Sequence, residues 1–125
     1  MLYNTALQTV ASGSPLALNA NLINSTGSIT ASGTTGVTLA AGQYLVTFAT
    51  DAGVTDAGTL GASLALDGTA LPYAETTKTL TAAGVDRVAL TSIIAPTASG
   101  TLTVLNTTGS TDTYQNSTLT VVKLA

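Results

Sequence analysis

The chain has 125 residues, of which 7% are charged, and a formal net charge of −3. This composition excludes a nucleic-acid partner, because three basic residues cannot form the positive stripe that neutralises phosphates. No apolar run reaches the roughly 18 residues of a membrane-spanning helix, so we expect no insertion into a membrane.

Cysteine and histidine are both absent. Their absence removes disulfides, thiolate metal ligands, and the commonest general base and best nucleophile of enzymes. We therefore expect a non-enzymatic protein that needs no cofactor, folded as a single domain over residues 1–125.

Short apolar runs that end in Gly, Pro, Asn or Asp recur along the chain, as they do in sandwiches and barrels. Frequent Gly and Thr disfavour helix, and Asp67-Gly68 between two alternating runs predicts a tight hairpin. The predicted strands are Tyr3–Ala11, Leu16–Ile23, Ser28–Ala31, Val37–Leu39, Gln43–Thr50, Thr59–Leu66, Thr69–Leu80, Val85–Ile94, Thr101–Asn106 and Ser117–Leu124. Together they predict an all-β, antiparallel, two-sheet sandwich of about ten strands.

Two of the predicted strands have one apolar and one polar face. In Thr59–Leu66 the even-numbered residues are apolar and the odd-numbered ones are small or polar. In Thr101–Asn106, Leu102 and Val104 alternate with threonines. Such strands need a single apolar neighbour, and we expect their polar faces to contact water. A charge on that face, as in Ser63→Asp, should be tolerated.

Three other strands are apolar on both faces: Gln43–Thr50, Val85–Ile94 and Ser117–Leu124. Because no helices are predicted that could cover the second face, we expect another molecule to cover it. Burying about five such side chains contributes roughly 8–15 kcal/mol, against roughly 4–15 kcal/mol of entropy lost on association. A closed ring, in which each subunit has two interfaces, is therefore favoured over a single contact.

Four segments in chain order carry a resemblance to a known family: AAGQYLVTF, SLALDGTAL, GTLTVLN and NSTLTVVKLA. They resemble the trimeric jelly rolls of the complement-subunit and tumour-necrosis-factor superfamily. Within it, the chain is most similar to the C-terminal domains of bacterial collagen-like exosporium and surface glycoproteins. The resemblance covers essentially the whole chain, although no Gly-X-Y collagen repeat is present in it.

The resemblance implies a homotrimer in which one sheet faces the three-fold axis. That sheet would contain the first, the last and two central strands, namely Tyr3–Ala11, Ser117–Leu124, Gln43–Thr50 and Val85–Ile94. The trimer interface expected from the resemblance and from the two-faced strands comprises Tyr44, Leu45, Val46, Ala89, Ile93, Val122 and Leu124.

The function that follows is a structural trimerisation head with a low-charge, threonine-rich surface. The resemblance implies an extracellular location at a cell or spore surface. Two alternatives stay open: an adhesin or lectin-like head that recognises a glycan or host receptor, and a phage fibre head. The four tyrosines raise the glycan hypothesis, but Tyr44 alternates with apolar residues and is better explained by packing.

Charged residues suggest one metal site and several ordinary surface contacts. Asp51 and Asp56 flank a Gly-rich loop and could offer hard oxygen ligands to calcium, although two carboxylates are fewer than calcium usually binds. Adjacent Asp86 and Arg87 point to opposite faces, so any ion pair they make must cross strands or subunits. Lys78 is predicted to be a solvated strand lysine.

Overall fold

The computed structural model describes residues 1–21 and 27–125. Within these ranges the backbone forms strands and no helix, hence no helix that could cross a membrane. The strands are β1 Leu2–Asn4, β2 Gln8–Val10, β3 Ala20–Asn21, β4 Ile29–Ser32, β5 Gly36–Leu39, β6 Tyr44–Val54, β7 Gly58–Leu66, β8 Thr69–Leu80, β9 Gly84–Ile94, β10 Gly100–Leu105 and β11 Asp112–Lys123.

The strands form two antiparallel sheets packed face to face. The front sheet has the order β3-β1-β11-β6-β9, with β2 also paired to β11, and the back sheet has the order β4-β5-β10-β7-β8. The chain passes repeatedly from one sheet to the other, as in a jelly-roll sandwich. The predicted fold class is confirmed, and the first, last and two central strands share the front sheet as expected.

The facing sides of the two sheets bury one continuous core. On β6, Tyr44, Val46 and Phe48 are fully buried, because alternate side chains of a strand point to the same face. The hydroxyl of Tyr44 donates a hydrogen bond to the carbonyl oxygen of Ala40 at 2.8 Å, so the polar end of the ring has a partner. Large buried side chains of the back sheet are Leu39, Leu60, Leu64 and Leu102.

The turn between β7 and β8 is the hairpin that the sequence predicts. Asp67 and Gly68 both have positive φ, 52° and 81°, which both central residues of a type I′ turn require. The Asp67 carboxylate also accepts a hydrogen bond from the backbone N–H of Thr101 at 2.9 Å. This hydrogen bond therefore connects the turn to β10 as well.

A β-bulge divides β11 into two halves. Its register against β6 shifts between Gln115 and Thr118, and Asn116 has a φ of 53°, in the left-handed region that asparagine tolerates. Before the bulge the even-numbered Tyr114 faces the core, whereas after it the odd-numbered Leu119 does. The extra residue thus reverses which side chains point inward.

The prediction of one continuous strand over Tyr3–Ala11 is wrong, because two separate strands, β1 and β2, lie there. The side-chain oxygen of Asn4 accepts a hydrogen bond from the backbone N–H of Ala6 at 3.0 Å. This bond closes an Asx turn, which separates β1 from β2.

The second predicted strand, Leu16–Ile23, is wrong over most of its described length. Leu18 is buried, but the backbone before it pairs with a side chain. Gln8 accepts from the N–H of Ala17 at 2.8 Å and donates to the carbonyl oxygen of Ala17 at 3.0 Å. Only β3 is a strand here, and the end of the predicted range lies outside the described residues.

The outward face of β7 is buried, contrary to the expectation that it contacts water. Ser63 is 1% exposed, and its hydroxyl donates to the carbonyl oxygens of Leu64 and Leu71 at 3.1 and 3.4 Å. The strand lies between β8 and β10 in the back sheet, and its outward side chains are small. Ser63→Asp would therefore bury a carboxylate and destabilise the protein. On β10 the expected alternation is confirmed, with Leu102 and Val104 buried.

Candidate functional site

The outer face of the front sheet has a group of exposed apolar side chains at one end. In the strand register Leu45 lies between Ile93 on β9 and Val122 on β11. Leu124 lies two positions after Val122 on the same side, where its N–H donates to the carbonyl oxygen of Gln43 at 2.7 Å. Leu45, Ile93, Val122 and Leu124 are 36%, 58%, 50% and 51% exposed. We call these four residues the apolar patch.

Two residues of the predicted interface do not belong to this outer face. Tyr44 and Val46 are fully buried in the core beneath it, so their assignment to the interface is wrong. They alternate with Leu45 along β6 and therefore point to the opposite side of the sheet. Ala89 is exposed on the outer face, where it pairs with Ala49 farther along the same two strands.

A row of threonines adjoins the apolar patch. Thr120, Thr47 and Thr91 are neighbours across β11, β6 and β9. The hydroxyl oxygens of Thr47 and Thr91 are 3.5 Å apart. Because this threonine row is uncharged, a second molecule can cover it without burying a charge.

The opposite end of the outer face holds three polar residues in a closed network. Arg87 Nη1 donates to Asp51 Oδ1 and to the carbonyl oxygen of Asn116, each at 3.1 Å. Asn116 Nδ2 donates to Asp51 Oδ2 at 3.0 Å. The hydrogen bonds from Asn116 and Arg87 lower the pKa of Asp51, so its carboxylate is ionised at neutral pH. We call these residues the polar triad.

A groove of about 300 Å³ opens beside the polar triad. Its lining comes from Met1, β1, β9, β11 and the turn after β1, and includes Tyr3, Thr5, Arg87, Asn116 and Thr118. Tyr3 and Thr118 are direct cross-strand partners. The groove thus combines an aromatic ring, hydroxyls and an ordered charged network in one concave site, which is the usual make-up of a small-ligand site.

The structure does not bring Asp51 and Asp56 together as a calcium site. Both carboxylate oxygens of Asp51 accept hydrogen bonds within the polar triad. Asp56 instead borders a separate cavity of about 150 Å³, next to Ser110. In the described part of the chain, no three acidic side chains form a group that could hold a metal ion. These two carboxylates do not supply the roughly six to eight oxygen ligands of calcium.

A second ion pair connects the two sheets. Lys78 on β8 contacts Asp86 on β9, and Lys78 is 54% exposed. The hydrogen bond from Lys78, with one from the backbone N–H of Arg87, lowers the pKa of Asp86. Asp86 and Arg87 therefore make their ion pairs across strands, as predicted. Lys78 is half exposed, but it has a partner that the sequence did not indicate.

Asp112 is a buried carboxyl that the sequence did not single out. It is 1% exposed, and its Oδ1 accepts a hydrogen bond from Ser110 Oγ at 3.0 Å. Its Oδ2 has no hydrogen-bond partner among the residues described. Burial raises the pKa of Asp112, and burial together with this carboxylate raises the pKa of Tyr114. Sequence reasoning missed it because an aspartate in a Ser/Thr-rich turn is usually solvated.

No protein-family model and no curated protein matches this chain. Among solved structures it is similar to the Podospora anserina GH26-CBM35 β-(1,4)-mannanase, with 13% sequence identity and a TM-score of 0.35. The alignment covers 97% of this chain and 28% of that protein. A likeness this weak supports no conclusion about function.

Proposed function

We propose that this chain is a structural head module that associates into a closed homotrimer through the outer face of its front sheet. The observation that carries the proposal is the apolar patch, whose four side chains lie together and are 36–58% exposed. Contiguous apolar surface of this kind marks an interaction site more often than scattered exposed residues do. We infer that a second copy covers it.

The energetics favour more than one contact for each subunit. Because the four side chains are already about half buried, covering them contributes roughly 3–6 kcal/mol. That gain does not clearly exceed the roughly 4–15 kcal/mol lost on association. A stable assembly therefore needs the uncharged threonine row in the contact as well, and two interfaces for each subunit, as a closed ring provides.

The number of subunits and the location rest on the resemblance to collagen-like bacterial surface proteins. The strands that this family turns toward its three-fold axis correspond to β1, β11, β6 and β9, which share the front sheet here. On the same basis we propose a place at the cell or spore surface. A phage fibre head has the same architectural requirements, and flanking sequence would distinguish it.

Charge placed in the apolar patch tests the proposal. We expect the wild type to have the mass of a trimer in solution by light scattering, and Ile93→Asp and Val122→Asp to have the mass of a monomer. Tyr73→Asp is the matched control, because Tyr73 is 63% exposed on β8 of the back sheet. Trimers that persist in both patch variants, or dissociate equally in the control, would contradict the proposed interface.

A further inference from the structure

We propose that the groove beside the polar triad binds one neutral sugar ring. Thr118 in the groove and Val122 in the apolar patch are four positions apart on β11, or about 13 Å at roughly 3.3 Å per residue. Thr120 of the threonine row lies between them. The groove therefore borders the proposed contact, and sugar binding is tested separately from association.

Arg87 provides hydrogen-bond donors in a fixed position. Its Nη1 is held by Asp51 and by the carbonyl oxygen of Asn116. The N–H groups of Nε and Nη2 have no partner among the described residues. A guanidinium whose orientation is already set loses little freedom on binding. It can donate to two adjacent hydroxyls, which a sugar ring offers along its edge.

Tyr3 provides the apolar wall that a sugar ring needs. Its side chain is partly buried, which limits its motion, and lies in the groove beside Thr118. A pyranose has a face of C–H groups that packs against an aromatic ring while its hydroxyls reach outward. The hydroxyls of Thr5 and Thr118 can each donate or accept at the rim.

The charge balance of the site selects a neutral ligand. Asp51 already compensates the charge of Arg87, and the chain has a net charge of −3. Asp51 is not part of the lining, so the groove meets the paired Arg87 guanidinium mainly as a set of hydrogen-bond donors. A cationic ligand would be repelled by Arg87, whereas sugar hydroxyls accept from its donors and both donate to and accept from the threonine hydroxyls. The volume of about 300 Å³ is at the lower end of the roughly 300–1,000 Å³ of small-ligand sites, which suits one ring.

Asn116 holds the polar triad together. Its φ of 53° lies in the left-handed region that asparagine tolerates, at the β-bulge of β11. The bulge directs its amide to Asp51 Oδ2 and its carbonyl oxygen to Arg87. Asn116 thereby helps to position Arg87, which lines the groove.

The test is a titration of the full chain, followed by NMR, with methyl glycosides of glucose, galactose, mannose and N-acetylglucosamine and with glucuronic acid as the anionic comparison. We expect at least one to bind with a Kd of about 1 mM, and affinity to fall about tenfold in Tyr3→Ala and in Arg87→Ala. Asn116→Gly keeps the left-handed backbone but removes the amide, and it should weaken binding by a similar factor. Tyr73→Ala, with an exposed tyrosine on the other sheet, should bind as the wild type does.

Three results would overturn the sugar site. They are no binding of any of the four glycosides, binding unchanged in both Tyr3→Ala and Asn116→Gly, and binding of glucuronic acid in preference to the neutral sugars. The mass of each variant by light scattering separates the two proposals. Loss of sugar binding without loss of association supports the groove, whatever the outcome for the apolar patch. Circular dichroism shows whether each variant folds. If Arg87→Ala does not fold, the sugar affinity of Asn116→Gly tests the groove in its place.

Discussion

Both faces of β6 carry apolar side chains, but the two faces have different surroundings in the fold. On the inner face, Val46 and Phe48 are fully buried beneath the back sheet. On the outer face, Leu45 is 36% exposed and its cross-strand neighbour Ile93 is 58% exposed. The comparison of Leu45 with Val46 and Phe48 shows that an apolar side chain on this strand is buried only where the other sheet lies opposite it. The inner face stabilises the protomer, and the outer face is the one that we propose for association.

The largest effect should come from a truncation on the inner face. Phe48→Ala removes a fully buried ring from the core, and we expect the free energy of unfolding to fall by about 3–5 kcal/mol. Equilibrium unfolding in urea measures this directly. A loss below about 1 kcal/mol would mean that the ring is not packed as described.

An intermediate effect should come from the carboxyls of the two faces, whose pKa values shift in opposite directions. Asp51, on the outer face, has a lowered pKa, so its contribution to stability is present above about pH 4 and is lost as pH falls below that value. Asp112, which is buried, has a raised pKa, so its contribution is full below about pH 4 and is lost as pH rises through the pKa of the folded state.

Asp112→Asn isolates the buried carboxyl. Between pH 4 and pH 7 we expect the Tm of the wild type to fall relative to that of the variant, because the buried carboxyl loses its proton over this range whereas the amide does not titrate. Thermal unfolding at several pH values measures it. If Tm changes with pH in the same way in the two proteins, the raised pKa assigned to Asp112 is contradicted.

The smallest effect should come from Thr47, which lies on the outer face of β6 next to Phe48. Thr47→Ala removes a methyl and a hydroxyl from an exposed side chain, and we expect a change within about 0.5 kcal/mol in the unfolding of the protomer. The same urea titration applies, at a protein concentration where the chain is monomeric. An effect comparable to that of Phe48→Ala would remove the distinction between the faces.

The parts of the fold that the sequence could predict depend on local chemistry. The hairpin at Asp67-Gly68 follows from two residues that tolerate positive φ, and the alternation of β10 follows from the pleat. The strand predicted near Leu18 fails because the side chain of Gln8 pairs with the backbone there. That contact joins residues nine positions apart and has no local signature.

The candidate site shows the same limit. The apolar patch was predictable because Leu45, Ile93 and Val122 lie on stretches of strand that alternate regularly, and Leu124 directly follows β11. The polar triad was not, because its contacts join residues 29, 36 and 65 positions apart. The bulge at Asn116 also reverses the alternation of β11, so the sequence pattern located the strand only from Ser117 onward although it begins at Asp112.

The most direct test of the central claim is the molar mass of the wild type by sedimentation equilibrium over a hundredfold range of concentration. If copies of the chain cover the outer face of the front sheet, the mass should be that of three chains at high concentration, and any dissociation on dilution should follow mass action. A single-chain mass at every concentration, with the chain folded, would contradict the claim that this face is an interface.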